Sequence, residues 1–329
     1  MKLLNRRLNN FRRVLEWKGL DAIVLANFWA REPNHYNYNL YYITNLLNFF
    51  SYCFLIITKD DCGVWVSAED FERAKDESWI KRVEPIELRE RRHSTEEFGR
   101  LIVKNLEELL GKRRIKVGVD GGHQQSSVIL SLIKEGLQIE DVTLDLERSR
   151  LIKDEVELKF MRKAAEIVDE GVNKVMDTVH EGVTEYELAA IARCEMIKSG
   201  AECFWWKTIV ASGPEAELWP NSPTDRKIRK GDVIWMDFTP IYKGYSADIA
   251  RAFIYGEANN EQLEVFRLAE KALNEAASTL RNGVTIREVM EAAAQQVRGS
   301  PYEKFYVGPG HGIGLYNDCL LYTSPSPRD

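Results

Sequence analysis

The chain has 329 residues, 44% of them hydrophobic and 29% charged, with a formal net charge of −6. At roughly 150 residues per domain that length holds about two domains with sizeable cores, and the composition is that of a soluble globular protein, not a disordered or fibrous one. No apolar stretch approaches the roughly 20 residues that span a bilayer, and there is no basic excess to favour a polyanion, so membrane and nucleic-acid partners are set aside; a local basic patch remains compatible with the acidic total.

The amino terminus, Met1-Lys2-Leu3-Leu4-Asn5-Arg6-Arg7 followed by Asn9, Asn10, Arg12 and Arg13, lacks the apolar core and cleavage site of an export signal, which predicts a cytoplasmic protein. Cys53, Cys62, Cys194, Cys203 and Cys319 include no Cys-x-x-Cys pair and read as reduced packing thiols.

An amphipathic helix ends over residues 14–18. Residues 22–25, 54–58 and 116–119 read as buried strands and residues 98–110 as a helix, an α/β pattern. The Asn- and Tyr-rich segment 34–48 has no clean period and is expected to be a surface loop with a short strand at 41–44. Near residues 146–153 strands give way to long helices, which sets the expected domains at 1–148 and 149–318. Asp154 with Glu157 opens a helix in which Leu158, Met161, Ala165, Val168, Val172, Val175 and Val179 recur at three- and four-residue steps. Gly182 is expected to cap its end.

Gly182-Val183-Thr184 with Glu187 recurs 101 residues later as Gly283-Val284-Thr285 with Glu288. Each copy reads as a helix closed by glycine and a new helix opened by a Thr-x-x-Glu capping box. The flanking helices correspond as well, 154–179 and 189–196 against 259–280 and 289–297, so the second domain is expected to be an internally duplicated α+β fold. Strands at 203–212, 233–240 and 245–254 follow the first corner. The second corner is followed by a short remainder whose last ten residues show no pattern, and the second half is expected to be cut short.

Residues 233–240, a turn around 242–244 and residues 245–254 read as a β-hairpin. A turn centred on Tyr242-Lys243 places Asp237 directly opposite Asp248 on one face, with Cβ atoms about 5 Å apart. Like charges so placed among Val233, Trp235 and Ile254 call for a proton or a cation between them. A shared divalent metal is one remedy; a solvated hairpin and a turn centred one residue later are the alternatives. His311, in Gly308-Pro309-Gly310-His311-Gly312-Ile313-Gly314, is either a ligand or a loop residue, and the glycine spacing matches neither phosphate-binding motif. His35, His93, His123 and His180 read as structural, and no sequence pattern supports a serine or cysteine nucleophile.

The stretches Gly231-Asp232-Val233-Ile234-Trp235-Met236-Asp237, Gly244-Tyr245-Ser246-Ala247-Asp248-Ile249-Ala250-Arg251 and Gly310-His311-Gly312-Ile313-Gly314-Leu315 resemble the pita-bread metallopeptidases, which include proline dipeptidase, aminopeptidase P and methionine aminopeptidase, with creatinase as a relative. The resemblance covers about residues 150–316, and the first domain more loosely resembles the creatinase-type N-terminal domain through Asp21-Ala22 and Tyr42-Ile43-Thr44. It implies an α/β domain followed by an α+β pita-bread domain, here incomplete at its C-terminus. It further implies a site with two divalent ions, Asp237, Asp248 and His311 among the ligands, and Asp248 bridging. The oxygen-rich donors favour manganese or cobalt, with zinc as an alternative. A homodimer and a small peptide or small-molecule substrate are also implied.

The chain departs from the family pattern in three ways. Two later glutamates should complete the site, one of them as general base, yet no glutamate follows His311. The catalytic residue is therefore unassigned, and this chain alone is expected to be inactive. A substrate-side histidine expected in the loop after residues 209–213 falls on Pro220 or Asn221, and another falls on Asp318. Residues 319–329 resemble translated adapter or vector sequence, which places the expected natural end near Asp318. The leading reading is an Xaa-Pro dipeptidase- or aminopeptidase-like hydrolase in which metal-activated water attacks the N-terminal peptide bond. The alternatives are a non-peptidase enzyme of the same fold acting on a small amide, amidine or zwitterionic metabolite, and an inactive binding scaffold.

Overall fold

Capping chemistry sets many of the helix starts in the computed structural model, which describes residues 2–28, 37–46, 52–86, 94–217 and 222–315. The chain divides into two units, Met1–Ile152 and Lys153–Asp329. The first comprises α1 (Lys2–Lys18), β1 (Ala22–Phe28), α2 (Tyr38–Thr44), β2 (Tyr52–Thr58), β3 (Cys62–Ser67), α3 (Phe71–Glu77), β4 (Arg82–Ile86), α4 (Thr95–Leu110), β5 (Lys116–Val119), α5 (Ser126–Lys134), β6 (Gln138–Asp141) and α6 (Thr143–Ser149). The sheet order is β4-β3-β2-β1-β5-β6, with β1 antiparallel to β2 and parallel to β5. Every residue of β1 and β2 is buried, so both strands read in sequence as nearly continuous apolar runs without alternation, with Asn27 and Thr58 as their polar residues. Phe54, Phe98, Ile102 and Leu106 fill the core against them.

Residues 41–44, expected as a strand within a loop, belong instead to α2, and all seven residues of that helix are buried. Asn37 accepts a hydrogen bond from the Leu40 amide at its start, and Asn45 ends it with φ 64°. The asparagines that gave the segment a loop-like composition are thus its caps, and burial of the tyrosine rings overrides their strand preference. The rest of the predicted loop, residues 34–36 and 47–48, lies outside the described residues.

The second unit comprises α7 (Glu155–Thr178), α8 (Glu185–Lys198), β7 (Cys203–Phe204), β8 (Ile209–Ser212), β9 (Val233–Phe238), β10 (Pro240–Tyr242), β11 (Tyr245–Ser246), β12 (Ile249–Ile254), α9 (Asn260–Thr279) and α10 (Ile286–Val297). Full capping boxes open all four helices, through Asp154/Glu157, Thr184/Glu187, Asn259/Gln262 and Thr285/Glu288, each cap contributing about 1 kcal/mol. The two glycines do not cap their helices. These end at Thr178 and Thr279, and Gly182 and Gly283, both at φ 87°, sit at the third position of tight turns closed by Val183 N–H to His180 O and Val284 N–H to Arg281 O. Positive φ at that position is what a type II turn requires of glycine, and the duplication extends to this detail.

The strand expected over residues 203–212 is broken in two. β7 joins the sheet β11-β10-β7 and β8 joins β12-β9-β8. Between them the amides of Trp205 and Trp206 both donate to Thr239, one to its carbonyl and one to its hydroxyl, and the ribbon bends at that residue. α7 and α8 pack Val168, Leu188 and Met196 against Val210, Ile234 and Met236 of the sheet. α9 and α10 share a smaller core of Ala272, Ala276, Val289, Ala293 and Val297. Among the described residues no helix is long and apolar enough to cross a membrane.

Candidate metal site

Alternation along β9 decides which way its side chains point. Ile234, Met236 and Phe238 are fully buried among the helix-facing core residues, whereas Val233, Trp235 and Asp237 occupy the other face and are only partly buried. β12 pairs with β9 so that Ala250, not Asp248, lies opposite Asp237. The direct Asp237–Asp248 opposition expected from sequence is therefore incorrect. The turn centres on Lys243-Gly244, at φ 50° and 76°, and Tyr242 pairs with Tyr245. Two consecutive positive φ values define a type I′ hairpin turn, whose second position suits glycine. Moving the turn centre by one residue moves every partner by two, so the two aspartates become diagonal neighbours on the same face.

The diagonal still brings the carboxyl groups together. Burial, with the negative charge of Asp248 next, pushes the Asp237 acid up to about 7; His311 opposes the shift. Like charges so close call for a proton or a cation between them. Asp237 Oδ1 is buried and has no hydrogen-bond partner.

His311 reaches this pair from the glycine-rich loop. The Ser246 amide donates to the Gly314 carbonyl and ties the loop to β11. Gly310, at φ 145°, supplies a conformation that side-chain-bearing residues avoid, just before the imidazole. His311 Nε2 lies 3.1 Å from Asp248 Oδ2, the two side chains being 29% and 14% exposed. Nδ1 lies 3.1 Å from the Gly312 carbonyl, which can only accept, so Nδ1 is the donor there and Nε2 is the ring nitrogen turned to Asp248. The three residues form a chain, Asp237 to Asp248 to His311. Among the described residues no three His, Cys, Asp or Glu side chains are gathered closely enough to hold an ion as they stand. A cavity of about 270 Å³ adjoins His311, walled by Leu273, Leu280, Val289 and Met290.

The other sequence candidates lie elsewhere. Pro220, Asn221, Asp318, His35, His93 and residues 319–329 fall outside the described residues. His123 sits in the first unit, with Nδ1 2.9 Å from Asp120 and Nε2 3.6 Å from Glu147. Burial pushes the Cys53 and Cys62 thiols up to about 12 and that of Cys203 up to about 11, which leaves no thiolate at neutral pH.

Sequence reasoning missed a buried polar network beside the site strands. Glu185, 1% exposed, accepts from Ser212 Oγ at 2.6 Å and from the Thr224 amide and hydroxyl at 3.0 and 2.7 Å. Arg226 donates to Ser212 Oγ and forks onto Asp232 at 2.6 and 2.9 Å. It pins the segment after residue 221 to β8 and to the start of β9. Glu185 follows the cap Thr184 and looks in sequence like an ordinary first-turn acid; nothing local marks its burial.

Residues 159–325 match metallopeptidase family M24, and residues 7–152 match the creatinase/prolidase N-terminal domain. The Xaa-Pro dipeptidase of Pyrococcus horikoshii is 28% identical over 316 residues, covering 96% of this chain and 83% of that protein. The crystal structure of the prolidase from Pyrococcus horikoshii OT3 aligns with TM-score 0.80 at 26% identity, over 95% of this chain and 83% of that one. An Xaa-Pro dipeptidase structure from Bacillus anthracis aligns with TM-score 0.84 at 22% identity, over 96% and 83%, a likeness of fold.

Proposed function

The chain belongs to metallopeptidase family M24, and from that membership and the Asp237–Asp248–His311 arrangement we propose a metal-dependent peptidase of the Xaa-Pro dipeptidase or aminopeptidase type, with these three residues as metal ligands. The carrying observation is the part-buried pair of neighbouring carboxyl groups, one buried oxygen of Asp237 without a hydrogen-bond partner and an imidazole nitrogen 3.1 Å from Asp248. The donor set fits a divalent cation: Asp237, Asp248 and His311 would hold it, and its charge would offset the repulsion of the two acids and give the orphaned Asp237 oxygen a partner. Two carboxylates and one imidazole suit manganese or cobalt better than structural zinc, and two ions are proposed from the family.

Bound divalent ions supply Lewis-acid polarisation of the scissile carbonyl and lower the pKa of water. The protein's own part is to hold the carboxylates on one rigid hairpin face and to orient His311 through the Gly312 carbonyl. The general base is unassigned. A cytoplasmic homodimer acting on small peptides completes the proposal.

The test is release of the N-terminal residue from Xaa-Pro dipeptides such as Leu-Pro by the natural full-length protein with manganese present, alongside metal content by mass spectrometry. Manganese-dependent release that disappears in Asp248→Ala supports the proposal. Stoichiometric metal without turnover of any Xaa-Pro peptide favours the binding-scaffold reading. Turnover of a small amide or amidine instead favours the non-peptidase enzyme.

A further inference from the structure

α1 carries Lys2, Arg6, Arg7, Arg12, Arg13 and Lys18 against a single acid, Glu16, in a chain whose net charge is −6. The fold uses three of these cations internally. Arg7 is buried and donates to the Tyr42 carbonyl at 2.8 Å; Arg12 donates to the carbonyls of Thr58 and Asp61; Lys18 pairs with Glu140 and Asp145, each at 3.2 Å. Arg6 and Arg13 are exposed and pair with no acid among the described residues.

These two cations fall on one helical line. Arg6, Asn10, Arg13 and Trp17 succeed one another at four- and three-residue steps, a stripe about 16 Å long. They wall an open cleft of about 700 Å³ whose other side is Arg148 and Ile152 at and beyond the end of α6. Val14, 7% exposed, lies beneath. Trp17 is 70% exposed and Ile152 78%, so the cleft offers large apolar surfaces beside its guanidinium groups. Its one acid, Asp145, is already held by Lys18, and Arg148 reaches it only at 3.9 Å.

We propose that this α1–α6 cleft docks an acidic peptide segment of a protein partner, its carboxylates on Arg6, Arg13 and Arg148 and an apolar side chain against Trp17 and Ile152. Charge complementarity identifies the occupant: Arg6, Arg13 and Arg148 line this cleft and its one acid is already held by Lys18, on a protein of net charge −6. The aliphatic wall of Ile152 and Val14 suits a peptide side chain better than the stacked bases of a nucleic acid, which need successive aromatic platforms.

The test is fluorescence anisotropy of a fluorescein-labelled peptide of four Glu-Glu-Leu repeats titrated with the full chain. Saturable binding is expected, weakening with salt and at least about tenfold weaker, the equivalent of about 1.4 kcal/mol, in Arg6→Glu/Arg13→Glu and in Trp17→Ala. Thermal melts of these exposed-site variants should match the parent, and Arg148→Glu is a further reading should the double variant misfold. Absence of saturation, binding indifferent to these substitutions, or equal affinity for single-stranded DNA of the same length would each overturn the proposal.

Discussion

His311 Nε2 lies 3.1 Å from Asp248 Oδ2, which joins the glycine-rich loop to the hairpin through the carboxylate whose charge helps to raise the Asp237 acid. The contact links two distant stretches of chain, and a cation placed there would bind the folded state only. At a hundred times its Kd such a ligand stabilises by about 2.7 kcal/mol, or roughly 5–10 °C for a unit of this size. Manganese should therefore raise the melting temperature of the parent, and Asp237→Asn and Asp248→Asn should each abolish most of that rise. Without metal, Asp237→Asn should melt no lower than the parent, because the amide removes one of two crowded acids. Differential scanning fluorimetry with and without manganese checks both statements.

The loop bearing the imidazole depends on Gly310. An added Cβ there would meet nothing within 4 Å, so Gly310→Ala is penalised by its φ of 145° alone. That strain costs about 1–3 kcal/mol and is most readily relieved by displacing the neighbouring His311. The expected outcome is a lower melting temperature together with at least about a tenfold weaker manganese affinity, read by titration calorimetry. His311→Gln should weaken manganese as much while leaving the metal-free melt nearly unchanged, since the imidazole is partly exposed.

Local chemistry in this chain is legible, and pairing at a distance much less so. Thr184/Glu187 and Thr285/Glu288 carry their capping boxes in four consecutive residues, and both form. The face of β9 that holds Asp237 follows from alternation. The hairpin register does not, because a shift of the turn centre by one residue leaves the aspartates on the same face and the apolar pattern unchanged. α2 escaped notice because its helical state comes from burial of Tyr38, Tyr41 and Tyr42 and from two asparagine caps, not from a helical period. Glu185 escaped because its partners, Ser212 and Thr224, are remote in sequence.

That network also sets an acid limit on stability. Burial alone would raise the Asp232 carboxyl, but the hydrogen bonds from Arg226 and from the Arg229 amide outweigh it and hold Asp232 below its ordinary value of 3.8. A depressed folded-state pKa means that the contribution is complete above the unfolded value and disappears as pH falls through the folded one. Urea midpoints should thus drop below about pH 4. Arg226→Gln, which breaks the fork onto Asp232, should cost about 2 kcal/mol at neutral pH and make the acid decline shallower. Parallel urea titrations at neutral and acid pH measure both effects; an equally steep decline in the variant would assign it to other carboxylates.

Lys243 occupies the first central position of the type I′ turn at φ 50°, where an L-residue is disfavoured by about 1–2 kcal/mol and asparagine or glycine is preferred. Its ion pair with Glu202 spans 3.7 Å and its side chain is 57% exposed, so the loss of that pair matters little. Lys243→Asn should therefore stabilise the second unit by roughly 0.5–1 kcal/mol, seen as a higher urea midpoint at unchanged m-value. Gly244→Val should do the reverse, because a β-branched side chain at φ 76° opposes the turn that brings Asp248 diagonal to Asp237. An unchanged midpoint in Lys243→Asn would mean that the lost Glu202 contact offsets the backbone gain.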